Sequence, residues 1–374
     1  MHVGLNLIFL VPGRTGGMEV AARETIPALV AAAGADVRFT AFVNRDAGPG
    51  PWGEIVEKVE VPVSVAHRVE WVRAEQQLLP GIAARAGVEL LHSLASTAPG
   101  RGRFVRVTTV HDLIYRHMPA AHGRLGSLGM RVLVPLAVRR SQRVVAVSQA
   151  TKDDIVASLG APASKIDVVY QGCTPPGRVA PLEERELRER LGLGERRLLL
   201  SLSAKLPHKN IGVLLEAHAL LPERPLLVLA GYPTAYERVL RERAAALGIA
   251  DDVRWPGWLS AAEVEGLWRL TAGFVFPSLY EGFGVPPIEA MARGVPVACS
   301  DTSAMPEIAG GAALLFDPHD PRAVAAAMRR LIAGGPEIER LRAAGLLRSR
   351  EFTWERTAAG LLETYGRAMR RDAT

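Results

Sequence analysis

The sequence predicts an α/β protein built from two Rossmann-like, doubly wound domains. Three observations carry that prediction. The 374 residues exceed the roughly 250–300 at which a single core stops growing. Short continuous apolar runs alternate with longer segments of helical periodicity, the pattern of parallel strands covered on both faces. The alternation comes as two series separated by a break rich in Pro and Gly.

In the first series, residues 3–11, 37–43, 90–92, 105–110 and 144–147 read as buried strands, with helices over 17–33 and 131–140. The break falls in QGCTPPGRVAPLEE, near 172–181. The second series has strands over 198–202, 226–230, 253–255, 273–276, 295–298 and 313–316. Its helices cover 211–221, 235–247, 260–270, 287–292 and 321–333. A last helix, about 354–369, follows without a new strand. Ligands of open parallel sheets bind beyond the carboxyl ends of the strands. Two such domains facing each other would share one cleft, so functional residues are expected just after strands.

Composition excludes several classes. Hydrophobic residues make up 48% and charged residues 22%, ordinary for a globular protein. The apolar start lacks a basic flank and a small-residue cleavage site, so it reads as a first strand rather than a signal peptide. No apolar run reaches the ~20 residues of a membrane span, and a cytoplasmic location is expected. Cys173 and Cys299 have no metal-ligand spacing and read as buried thiols. The net charge of +6 attracts polyanions. No nucleic-acid module is visible, so a diphosphate or an anionic membrane surface is the expected partner. Residues 124–143, apolar with basic edges, read either as a peripheral membrane contact or as a core helix with solvated arginines.

Four segments carry candidate chemistry. Pro12 to Glu19, PGRTGGME, follows the first strand and opens a helix; Gly16 and Gly17 let backbone approach an anion at the helix N-terminus. It is not GxGxxG, which argues against a dinucleotide dehydrogenase; the rival reading is a tight turn. His111–Asp112 ends the 105–110 strand, either meeting a substrate or, through Asp112, capping a helix. Lys205 and Lys209, after the first strand of the second series, would both point at one diphosphate or else be solvated. The fullest segment is PSLYEGFGVPPIE, 277–289. A strand precedes it, Gly282 and Gly284 free backbone N–H groups, and the prolines suit a helix start near 286 or 287. Glu281 then lies in the loop and Glu289 in the first helical turn, placed to accept hydroxyls at two ends of an extended ligand. No Asp-x-Asp pair, nucleophile elbow or Gly-Lys-Ser/Thr loop is present, and no metal or cofactor is expected.

The E-x7-E pattern from Glu281 to Glu289 is the most specific mark of a resemblance to the retaining family 4 glycosyltransferases, which have the GT-B fold. GGMEVAARE, TVHDLIYRHMP, VSQATKDDI, KIDVVYQG and FTWERTAAGLLETY extend the similarity along nearly the whole chain. The wording is most similar to bacterial mannosyltransferases. The resemblance implies an acceptor-binding domain over 1–174, completed by a crossing helix at 355–374. It implies a nucleotide-sugar domain over 175–354. Glu281 would bind donor-sugar hydroxyls, Glu289 the ribose, and Lys205 and Lys209 the diphosphate. Gly16 and Gly17, with backbone around Gly282, Phe283, Gly284 and Val285, would complete the phosphate cradle. His111 would contact the sugar near the reacting carbon, and the backbone of Trp258 and Leu259 would meet the base. Relatives usually have Gly-Arg where this chain has Ala204-Lys205, which keeps the charge but loses the bidentate fork.

These readings imply hexose transfer from a nucleotide diphosphate sugar, GDP-mannose ahead of UDP-glucose, to an acceptor hydroxyl with retained configuration. Two alternatives stand beside it. A sugar-nucleotide epimerase of the same architecture would convert donor without acceptor, and a non-catalytic partner would bind donor without turnover.

Overall fold

The computed structural model describes residues 1–13, 15–64, 68–119 and 124–371. Arg14 of the first glycine turn and residues 372–374 of the final stretch lie outside the described residues, as do the side chains at the start of the 124–143 segment. The chain divides into two compact units. The first comprises Met1–Gly172 and Thr353–Thr374, the second Cys173–Phe352.

The first unit holds seven parallel strands: β1 (His2–Leu7), β2 (Arg38–Val43), β3 (Glu57–Glu60), β4 (Leu90–Ser93), β5 (Val105–Val110), β6 (Arg143–Ala146) and β7 (Ile166–Val168), in the order β3-β2-β1-β4-β5-β6-β7. Two strands are additions to the sequence reading. β3 is EKVE, an edge strand with a largely exposed face, and β7 has three residues; neither carries an apolar run. The first strand also stops at Leu7 rather than Val11. Leu10 turns back to bond Leu7 O at 3.1 Å. The Asn44 amide then satisfies the Ile8 and Leu10 carbonyls.

Both faces of this sheet are covered, as a parallel sheet requires. Val3, Leu5 and Leu7 pack with the Gly17–Ala33 helix and with the final helix, Trp354–Arg371. Ala358, Leu361, Tyr365 and Ala368 form the buried stripe of that last helix, at the spacing of one helical face. Each large buried side chain of this kind contributes about 1.5–3 kcal/mol. Phe42, Val88 and Leu91 cover the opposite face. Gly4 is small because a Cβ there would lie 2.8 Å from the Phe42 ring. In the Arg124–Arg140 helix, Val134, Ala137 and Val138 are core, while Leu128 and Val132 are exposed.

The second unit holds six parallel strands: β8 (Leu198–Leu202), β9 (Leu226–Ala230), β10 (Val253–Gly257), β11 (Thr271–Phe276), β12 (Val297–Ser300) and β13 (Ala313–Phe316), ordered β10-β9-β8-β11-β12-β13. Counted within the unit this is 3-2-1-4-5-6, the dinucleotide-fold order, with its switch point between β8 and β11. Cys173 and Cys299 are buried free thiols. Among the described residues, no helix is long and apolar enough to cross a membrane.

The chain passes between the units twice, after Gly172 and after Phe352. Within the first unit the Thr357 hydroxyl donates to Tyr170 O at 2.8 Å, and Gly172 lies against the start of the final helix. A Cβ on Gly172 would sit 2.5 Å from the Trp354 backbone nitrogen. Backbone cannot yield as a flexible side chain does, so Gly172→Ala is expected to destabilise by about 1–3 kcal/mol. The check is the urea midpoint of the variant; an unchanged midpoint contradicts this packing.

Candidate functional site

In the second unit, the loops leaving β8 and β11 emerge side by side at the switch point. The β8 loop runs into the short turn Pro207–Lys209. It leaves through Asn210, whose φ of 55° lies in the left-handed region that Asn tolerates better than most residues. The Asn210 amide is held by Pro318 O at 2.8 Å. Leu279 N–H of the β11 loop donates to His208 O at 2.8 Å, joining the two loops.

That junction brings Lys209 and Glu281 together. Lys209 Nζ donates to Glu281 Oε1 at 2.5 Å, with the side chains only 18% and 14% exposed. The ammonium also lies 5.5 Å from the Phe276 ring centroid, a cation–π distance. The Glu281 backbone is clamped by Ser303, whose hydroxyl accepts from its N–H at 3.1 Å and donates to its carbonyl. Neither side chain is a loosely solvated charge.

Lys205 is placed differently. It is 1% exposed, and its Nζ donates to Ser203 O at 3.1 Å. Its own carbonyl accepts from the Thr234 hydroxyl. Burial pulls its ammonium from an ordinary 10.5 down to about 8, against the attraction of Glu237. The two ammonium groups thus have different partners, Ser203 O and the Glu281 carboxylate, and neither lysine is solvated.

The helix after Glu281 is Val285–Ala292, capped by Gly284. Gly284 has φ 98°, and a Cβ would fall 2.2 Å from Met305 Cε, so the turn admits only glycine. No side chain caps this helix, and of its first three residues only Val285 carries an N–H, because Pro286 and Pro287 have none. Gly282 and Phe283 are buried, and the Phe283 ring stands edge-on to Phe352 at 5.6 Å. Because the helix starts at Val285, Glu289 belongs to its second turn, not the first. Glu289 is half-buried. Burial pushes its carboxyl up to about 7, with Arg293 opposing and Glu265 adding to the rise. Arg293 is committed elsewhere: to the Glu265 carboxylate and to the carbonyls of Thr174 and Glu289. Trp258 is 67% exposed and its ring lies 4.6 Å from that of Tyr232, while Leu259 is buried.

In the first unit, Gly16 (φ 61°) and Gly17 open the Gly17–Ala33 helix, and among the described residues beyond their chain neighbours nothing stands within 4 Å of a Cβ built on either. Glu19 braces the turn by accepting from Gly13 N–H at 2.8 Å. His111 follows β5. Its Nε2 meets Leu94 O at 2.7 Å and its Nδ1 meets the Gln171 amide nitrogen at 3.1 Å. A carbonyl can only accept, so Nε2 carries the proton and Nδ1 accepts. Burial lowers the His111 pKa, against the Leu94 carbonyl and Asp112, and the ring is neutral. Asp112 closes a local turn, accepting from Ile114 N–H at 3.0 Å; the cap of the Ile114–His117 helix is Leu113, with no side-chain cap bond.

Three residues of this region escaped the sequence reading. His92 lies fully buried between the Tyr365 hydroxyl at 2.7 Å and the Thr109 hydroxyl at 2.8 Å, and burial pulls it down to about 3. Gln171 belongs to the stretch read as linker. Glu75 sits on a single wide π turn, Ala74–Leu78, which has no sequence signature beyond a polar stretch. A cavity of about 30 Å³ lies between His92, His111, Thr109, Gln171, Thr25 and Thr357, room for about one water.

Two family models match the chain: Glycosyltransferase Family 4 over residues 15–175 and Glycosyl transferases group 1 over residues 183–347. O-antigen chain mannosyltransferase B of Escherichia coli is 29% identical over 264 residues, 69% of each chain. A D-inositol 3-phosphate glycosyltransferase of Thermobispora bispora is 28% identical over 399 residues, covering 96% of this chain and 91% of that one. The serotype-specific mannosyltransferase WbdA of Escherichia coli is 35% identical over 178 residues, and there the match spans only 22% of the longer protein. Among solved structures, sucrose-phosphate synthase of Thermosynechococcus elongatus superposes with TM-score 0.82 at 20% identity, over 99% of this chain and 100% of that one. Anabaena HepE in complex with UDP and glucose gives 0.73 at 19%, over 98% and 99%. With two parallel-sheet domains and a family model on each half, the chain belongs to the GT-B glycosyltransferases of family 4 type.

Proposed function

We propose that this glycosyltransferase moves a hexose, mannose ahead of glucose, from a nucleotide diphosphate sugar to an acceptor hydroxyl with retention of configuration. The observation that carries this reading is the Lys209–Glu281 pair at the switch point, 2.5 Å apart. A cation suited to a diphosphate and a carboxylate suited to sugar hydroxyls occupy one spot beside an uncapped helix N-terminus. The mannose preference leans on the similarity to O-antigen chain mannosyltransferase B, and the nucleotide donor on the UDP complexes of HepE.

In this reading the glycosyl–oxygen bond to the diphosphate breaks while the acceptor oxygen bonds the anomeric carbon on the same face. The acceptor proton passes to the departing phosphate. Lys209 and the N–H groups at Gly284 and Val285 stabilise the charge growing on the leaving group. Lys205 joins them by turning outward from Ser203. Glu281 holds the sugar hydroxyls, Glu289 the ribose, and neutral His111 the sugar near its reacting carbon. Gly16 and Gly17 extend the phosphate cradle, and the backbone at Trp258 and Leu259 meets the base. No metal takes part, so turnover is expected to persist in EDTA.

A thermal-shift panel of nucleotide diphosphate sugars is the direct test, because a ligand of the folded state raises the melting temperature. Turnover of the responding donor, with and without acceptors, then separates transfer from epimerisation; conversion of donor alone to a different sugar nucleotide overturns transfer. Lys209→Ala is expected to weaken nucleoside diphosphate binding by roughly 10- to 100-fold, the loss of one charge-assisted hydrogen bond. Glu281→Gln is expected to keep diphosphate binding but lose turnover by about 10²-fold or more. Full turnover in Glu281→Gln contradicts the assignment.

Lys205 yields a prediction with opposed signs. Its folded-state pKa of about 8 lies below the ordinary 10.5, so its contribution to stability is whole above 10.5 and is lost as pH falls through 8. At about 1.4 kcal/mol per pH unit, the buried charge costs up to about 3 kcal/mol at neutral pH. Lys205→Met should therefore be more stable than wild type below pH 8, with the gain vanishing toward pH 10.5, and yet bind diphosphate more weakly. Urea midpoints across pH, set beside binding titrations, check both halves. A variant less stable at pH 7 contradicts the burial argument.

A further inference from the structure

The side chains around Glu75 form a closed network beneath the loop that holds His111. Residues 68–85 form a helical run interrupted by the π turn Ala74–Leu78. Such single wide turns inside helices recur at functional sites. Here the turn sends two consecutive side chains, Glu75 and Gln76, to the same loop. Glu75 is 2% exposed. Its Oε1 accepts from Asn6 Nδ2 at 2.9 Å and from the Thr97 hydroxyl at 3.0 Å, and its Oε2 from Gln76 Nε2 at 3.2 Å. Gln76 grips the loop at two further points, donating to Ala98 O at 2.9 Å and accepting from Gly100 N–H at 2.9 Å.

The same loop grips His111 from its other end. Leu94 O takes the His111 Nε2 proton at 2.7 Å, and Ser96 Oγ takes the His111 backbone N–H at 3.3 Å. Ser96 has φ 36°, an uncommon backbone state for a serine that persists only where its surroundings enforce it. Its N–H is anchored on Thr109 O at 2.8 Å, and the next residue, Thr97, is anchored on Glu75. A carboxylate fits the centre of this network because three donors converge on it. An amide would turn its own NH2 toward one of them.

We propose that Glu75 and Gln76 are a positioning clamp for His111: by holding Thr97, Ala98 and Gly100 they fix the loop whose Leu94 carbonyl sets the tautomer and ring orientation of that histidine. The clamp touches no substrate, and its importance rests on the sugar-transfer reading, in which His111 meets the donor. The link itself is a property of the free protein.

The test uses the full chain labelled with 15N-histidine and long-range nitrogen–proton NMR of the imidazoles, which reads tautomer and protonation for each ring. The signal missing in His111→Asn identifies His111. Wild type should show His111 as a single Nε2–H tautomer near neutral pH. In Thr97→Val, which cuts the hydroxyl link and keeps the side-chain shape, that signature should be lost. The ring should become a mixture of tautomers that takes up a proton at higher pH. Glu75→Gln should do the same. His218, bonded to Pro225 O in the second unit, should be unmoved in both. An unchanged His111 in Thr97→Val overturns the clamp, whatever Glu75→Gln does. So does a shift of His218 together with His111, which would mark general loosening. Because no donor is added, a failure here leaves the sugar-transfer reading standing, and a failure of that reading in the turnover assay leaves the clamp standing.

Discussion

Each sheet reverses its strand order once, between β1 and β4 in the first unit and between β8 and β11 in the second. On either side of such a reversal the connections run away in opposite directions, and the carboxyl ends of the two central strands are left uncovered. Nearly everything of chemical interest sits there. Lys205 and Lys209 follow β8, and Glu281 follows β11. In the first unit Gly16 follows β1 and Leu94 follows β4, with His111 after the adjacent β5. Residues 72 apart in sequence, Lys209 and Glu281, meet because their strands are neighbours.

The lysines show how burial divides two similar charges between different tasks. Lys209 is neutralised by a carboxylate, and a mostly buried ion pair of this geometry offsets much of its own desolvation. An anionic ligand would exchange one partner for another at little electrostatic cost. Lys205 donates to the Ser203 carbonyl rather than to a carboxylate, and burial depresses its pKa against the attraction of Glu237. Such a strained charge is held by the fold against its own preference, a pattern common at functional sites.

The first unit solves a different problem: it keeps histidines neutral and oriented. His92 is buried and His111 half-buried, and each has its ring nitrogens bonded. One support comes from the far end of the chain, since Tyr365 of the final helix donates or accepts at His92 Nδ1. The helix that closes the hydrophobic face of the sheet thus also fixes a polar group beneath the His111 loop.

The sequence by itself determined the alternation of buried strands and helices, the place of the break between units, and the glycine turns ahead of the Gly17–Ala33 and Val285–Ala292 helices. It did so because burial on both sheet faces and left-handed backbone each demand particular residue types within a short stretch. It also placed Glu281, Lys209 and His111 just past strand ends. It could not reveal the edge strand Glu57–Glu60, whose pairing comes from its neighbour rather than from apolar residues. Nor could it reveal the inward turn of Lys205, the second-turn position of Glu289, or the networks of Glu75 and His92. Those depend on which distant side chains share a low-dielectric space. Hydrogen-bond partners and pKa values are properties of that space, and only tertiary packing creates it.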